Sequence, residues 1–181
     1  NPESLEKITG IVLKGLEKVF SKKWNLLVTV GLEHYTAVLV VSMMETVNEY
    51  MTDKTIRDLW LWHSVEETEH KAVAFDLYEY LYGNGLNAYL PRVTIFTLSL
   101  ILITGLSTIY QIVLMKRDKQ LSNLKTWQNF FNFAAKQYKT FIPKFFEYYR
   151  YDFHPNQTNE KNLVATTKIK LGIKDTPALV S

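Results

Sequence analysis

Trp62-His63-Ser64-Val65-Glu66-Glu67-Thr68-Glu69-His70 is the stretch that decides how this chain reads. Around it runs a stripe spaced 4-3-4-3: Ile56, Trp60, His63, Glu67, His70, Ala74, Leu77 and Leu81. That spacing marks one face of an α-helix, and a largely apolar face is the one a helix buries. The stripe therefore predicts a buried seam, with three titratable side chains where Leu or Val would ordinarily stand. A buried carboxylate or imidazole is costly unless something pairs with it. In the Glu-x-x-His pattern, Glu67 and His70 put one oxygen and one nitrogen on the same helical face, and a metal ion is the most economical partner for both.

A second stripe supports this reading. Leu26, Val30, Glu33, Ala37, Val40, Met44 and Val47 repeat the 4-3-4-3 spacing on the preceding helix, again with a carboxylate in an apolar seam. Short connections make consecutive helices antiparallel neighbours. Glu33 lies about 17 residues before the turn near residue 50 and Glu67 about 17 after it, so at ~1.5 Å per residue the two reach the same height. One Glu facing a Glu-x-x-His is half of the ligand set that di-iron carboxylate bundles use. The plainer alternative is a metal-free buried network of hydrogen bonds among Glu33, Glu67 and His70.

Other polar residues take lesser roles. His63, one turn before Glu67, is read as a further ligand or as a group that orients Glu67. His34 points some 100° away from Glu33 around the helix, so it is read as packing or as support for the site. Glu66 borders the site and is a candidate supporting carboxylate. Glu69 and Lys71 are read as a solvated face, and His154 as a structural loop residue. No residue is assigned to the chemical step itself.

The 181 residues suffice for one domain with a core, and 47% hydrophobic content excludes a disordered chain. A net charge of +3, with scattered Lys and Arg, gives no footprint for nucleic acid. The absence of cysteine excludes disulfides and thiolate metal ligands and fits a reducing, cytoplasmic setting. Periodicity predicts an all-α chain with helices over roughly 2–20, 24–50, 53–82, 90–116 and 124–151. The 53–82 helix is capped by Thr52 or Asp53, and the 124–151 helix is aromatic-rich and bent or interrupted at Pro143. Residues 1–151 are read as a single helical domain and 152–181 as an extended polar tail. Nearly half of the aromatics fall between Trp127 and Phe153; they read first as packing mass, with a hydrophobic substrate tunnel as the alternative.

Val93 to Met115 is a 23-residue run without a charge, followed by Lys116-Arg117-Asp118-Lys119. Its length could cross a bilayer. Its Ser, Thr and Gln content favours a central helix buried by other helices or by a homodimer partner. Inner-membrane association through residues 93–115 is the alternative.

Leu32-Glu33-His34-Tyr35-Thr36, the stretch from Trp60 through Trp62-His63 and Glu66-Glu67 to Glu69-His70-Lys71-Ala72-Val73-Ala74-Phe75-Asp76, and Phe153-His154-Pro155 resemble a bacterial family of predicted metal-dependent hydrolases. The similarity covers most of the chain. The resemblance implies a ferritin-like bundle with Glu33, Glu67 and His70 as ligands and His63 as a further candidate. It also implies longer chains carrying an earlier Glu and an earlier Glu-x-x-His, so this sequence reads as the C-terminal part of such a bundle. The remaining ligands would then come from upstream or from a second copy. Some members look like di-iron oxygenases. The expectation drawn from this is a two-iron site, with Mn or Zn as alternatives, that oxidises a small or lipid-like substrate with oxygen. The alternatives are a hydrolase using metal-activated water and a non-catalytic membrane-associated helical protein.

Overall fold

Leu27, Val30, Ala37, Val38, Val40, Val41, Met44 and Val47 are all buried. They line about half the circumference of α2 (Lys22–Tyr50) at 100° per residue. So broad an apolar face has to be enclosed, and α2 is packed against the helices that follow it. The computed structural model describes residues 2–158 and 160–173. Around α2 stand α1 (Pro2–Val19), α3 (Lys54–His70), α4 (Val73–Tyr82), α5 (Leu86–Arg117), α6 (Leu124–Glu147) and α7 (Lys161–Leu171), with a 3-10 turn at Pro155–Gln157. The described residues are thus all-α, as the periodicity predicts.

Two apolar clusters hold the bundle. Leu27, Val30, Phe75, Tyr78, Phe96, Tyr148 and Phe153 join α2, α4, α5 and the segment after α6. Gly31 allows this close approach, because a Cβ there would stand 3.1 Å from Phe96 Cδ2. Met44, Val47 and Leu61 form the second cluster, against Leu163 and Val164 of α7. Between α2 and α6 a polar tie is buried: Ser42 bonds Gln137, whose amide donates to Thr46 Oγ1 at 2.6 Å.

The structure corrects several expectations. The single helix expected over 53–82 is two, divided at Lys71–Ala72, where Ala72 adopts φ −96° and ψ −14°. The turn lets Phe75 and Tyr78 face the core while Lys71 reaches Glu160. The N-terminus of α3 is as expected, with Asp53 accepting from the Ile56 N–H at 3.0 Å. Helix α6 runs through Pro143 and ends at Glu147. Beyond it the buried Arg92 takes the carbonyls of Tyr148 (2.7 Å) and Arg150 (2.9 Å), which substitutes for further helical bonds. Residues 161–171, expected as extended tail, form α7 against α3. Residues 174–181 of that tail lie outside the described residues.

Two burial expectations also change. The buried residues of α3 are Leu61, Ser64, Val65 and Thr68. The predicted stripe lies beside them and is largely open, with Ile56, Trp60, Leu77 and Leu81 exposed. Ser64 and Thr68 can face α2 because their hydroxyls donate to the carbonyls of Trp60 and Ser64, both at 2.7 Å. The other helices of the chain do not bury α5. Only Ala88, Arg92 and Phe96 are buried, because the core ends at Phe96 and α5 continues past it.

Candidate metal centre

The short 51–53 connection turns α3 back along α2 and brings Glu33 and Glu67 to the same height. One ligand atom from each of Glu33, Glu67 and His70 lies within 4.8 Å of the other two. His70 Nδ1 stands 3.6 Å from Glu33 Oε2. His63 Nε2 stands 3.5 Å from Glu67 Oε1. The Thr36 hydroxyl is placed to donate to Glu67 Oε2 at 3.0 Å or to its own helix at the Glu33 carbonyl, 3.2 Å away. Sequence reading missed Thr36, although its place three residues after Glu33 puts it on the same face.

The electrostatics of the cluster are unbalanced. Among the described residues, no lysine or arginine comes within ion-pair distance of Glu33 or Glu67. Glu33 Oε2 is buried as an atom and has no hydrogen-bond partner. Both facts fit a cation. Metal bonds of ~2.0–2.2 Å to nitrogen and oxygen hold two ligand atoms at most about 4.4 Å apart, so small side-chain rotations close the cluster around an ion. The side chains of Glu33, Glu67 and His70 are 28%, 17% and 45% exposed. The cluster therefore occupies a half-open wall rather than the enclosed seam that the spacing predicts.

The remaining candidates separate clearly. His63 flanks Glu67 on the open side, its ring 6.1 Å from that of Trp60. Glu66 is half-buried and outside the three-residue cluster. His34 turns away from it and is 5% exposed, packed 4.9 Å from the Tyr148 ring and 5.0 Å from the Phe153 ring. Burial pushes its imidazole down to a pKa of about 4. It borders a small cavity of about 20 Å³ together with Lys71, Lys144 and Glu160. His154 is a local brace: its Nε2 is 2.8 Å from Asp76 Oδ1, and its Nδ1 accepts from the Asn156 N–H.

Lys71 departs from the solvated face expected of it. It is nearly buried, 2.6 Å from Glu160 Oε2 and 2.7 Å from Thr158 Oγ1, and Lys144 adds a second cation 3.3 Å from Glu160. Desolvation raises the Glu160 pKa, but the hydrogen bonds of Lys71 and Thr158 and the charges of Lys71 and Lys144 together outweigh it and hold the carboxyl below its usual range. Nothing local in the sequence marks this pair, whose members are 89 residues apart.

A family model described as predicted metal-dependent hydrolase matches residues 1–159. No curated protein and no solved structure matches the chain.

Proposed function

The chain belongs to the family of predicted metal-dependent hydrolases, and from that premise we propose that Glu33, Glu67 and His70 hold a divalent ion that serves hydrolysis. The observation that carries this reading is the convergence of the three side chains within 4.8 Å, with one carboxylate oxygen buried and unpartnered. Two carboxylates and an imidazole without sulfur suit Fe, Mn or Zn. An ion held there would supply Lewis-acid chemistry, lowering the pKa of bound water and polarising a substrate oxygen.

The chain's own residues supply the rest. Thr36 steadies Glu67 by donating to Oε2, leaving Oε1 for the ion. His63 stands beside Glu67 on the open side and can carry a proton at Nε2. Trp60 gives the rim an apolar element that suits a small or lipid-like substrate. The family description favours hydrolysis over oxygen-dependent oxidation at two irons.

Metal analysis and activity test the proposal together. The purified chain, reloaded separately with Mn, Fe and Zn, should retain stoichiometric metal, and Glu67→Ala should lose it. Reloaded protein should hydrolyse members of an ester and phosphoester panel and should not consume oxygen with a reductant. Unchanged metal content in Glu67→Ala would remove the site. Oxygen uptake coupled to substrate oxidation, without hydrolysis, would restore the two-iron oxidation reading.

A further inference from the structure

We infer that the chain docks on an anionic lipid surface through the exposed apolar stripes of α1 and the distal half of α5. No residue of α5 after Phe96 is buried. Residues 97–117 therefore run past the core for about 30 Å at ~1.5 Å per residue. Along this run Leu98, Ile101, Leu102, Ile109 and Ile112 are exposed. At 100° per residue these five fall within one arc of about 100°, with the exposed Leu114 outside it. Thr104, Ser107, Thr108 and Gln111 occupy a different arc of the same helix, also exposed. The Thr108 hydroxyl is satisfied within the helix by the Thr104 carbonyl at 2.8 Å.

Helix α1 lies alongside, with Tyr110 Oη donating to Thr9 Oγ1 at 3.3 Å. It repeats the pattern. Ile8, Ile11, Val12 and Val19 are exposed and share an arc of about 100°, with the exposed Leu13 outside it. Lys7, Lys14 and Lys18 run along one edge of that arc, while Glu3, Glu6 and Glu17 stand on the far side. An apolar stripe edged by lysines is the arrangement of a helix lying in a membrane interface, with the lysine stems over the acyl boundary and the ammonium groups among phosphates. Lys116 and Arg117 close the apolar run of α5 with the same sign.

Two other occupants fit less well. If α5 crossed the bilayer, Glu6 and Lys7, within one turn of Thr9, would enter hydrocarbon beside it, which is costly. If a second copy covered the face, an antiparallel two-fold pairing of α1 stripes would set both lysine rows along one edge, like charge against like.

Co-sedimentation of the purified chain with phosphatidylcholine vesicles, with and without phosphatidylglycerol, tests the inference. Binding should favour the anionic vesicles and weaken with salt. Lys7→Glu, Lys14→Glu and Lys18→Glu together should reduce it by at least about tenfold. Ile101→Asp with Ile109→Asp should abolish binding while far-UV circular dichroism is unchanged; if that pair unfolds the chain, the lysine variant, exposed throughout, carries the test. The inference is overturned by no partition into anionic vesicles, by partition that ignores the lysine variant, or by a lipid-free dimer that the isoleucine variant dissolves.

Discussion

Two groups of carboxylates stand on opposite sides of the end of α3, and the protein treats them differently. Glu160 is buried and receives two cations from the chain itself, Lys71 and Lys144. Glu33 and Glu67 are partly open and meet no lysine or arginine among the described residues: a threonine hydroxyl bonds Glu67, and two imidazoles stand 3.5 and 3.6 Å from the pair. Adjacent residues feed the two sides: His70 turns toward Glu33 and Lys71 toward Glu160. A carboxylate that holds the fold together is neutralised by covalently attached charge. One proposed to recruit an ion is left short of it.

Breaking each side should give a different kind of loss. The largest effect belongs to Glu67→Ala, which should release all bound metal yet leave the thermal midpoint close to that of the metal-free native chain, as read by elemental analysis beside calorimetry. Lys71→Met leaves Glu160 buried with only Lys144 and should destabilise the chain by about 3 kcal/mol, measured by urea unfolding.

The pair also predicts a pH signature. The Glu160 carboxyl titrates lower in the fold than its ordinary value of 4.5. Its contribution is therefore present above that value and is lost as pH falls through the depressed folded value. Urea midpoints should drop over that acidic window in the native chain, and Lys71→Met should flatten the drop. The smallest effect is expected of Thr36→Val. It removes the hydroxyl that steadies Glu67 and should weaken metal affinity by about tenfold, seen by competition with a chelator, with stability nearly intact. If Thr36→Val instead destabilises as much as Lys71→Met, the distinction between the two sides fails.

Much of this was legible in the sequence because it is local. The all-helical class follows from period, and the shared height of Glu33 and Glu67 follows from counting residues to either side of one short turn. The buried face of α3 was not legible in the same way. Ser64 and Thr68 look polar as letters, but their hydroxyls are satisfied one turn back, so they bury as small residues beside Val65. Trp60 and Leu77 look like seam residues yet stay exposed. Helix α7 and the Lys71–Glu160 pair depend on partners far away in the chain, where periodicity carries no signal. The same is true of Arg92, which ends α6 by capturing carbonyls 56 and 58 residues further on.

Glu33, Glu67 and His70 belong to neither apolar cluster. They are carried by α2 and α3, which those clusters pack into the bundle. On the proposed reading an ion would enter a seat that the helices already form, and its departure would leave them in place. Exchange is then governed by access at the surface and by which divalent species the surroundings supply, since mixed oxygen and nitrogen donors discriminate poorly among them.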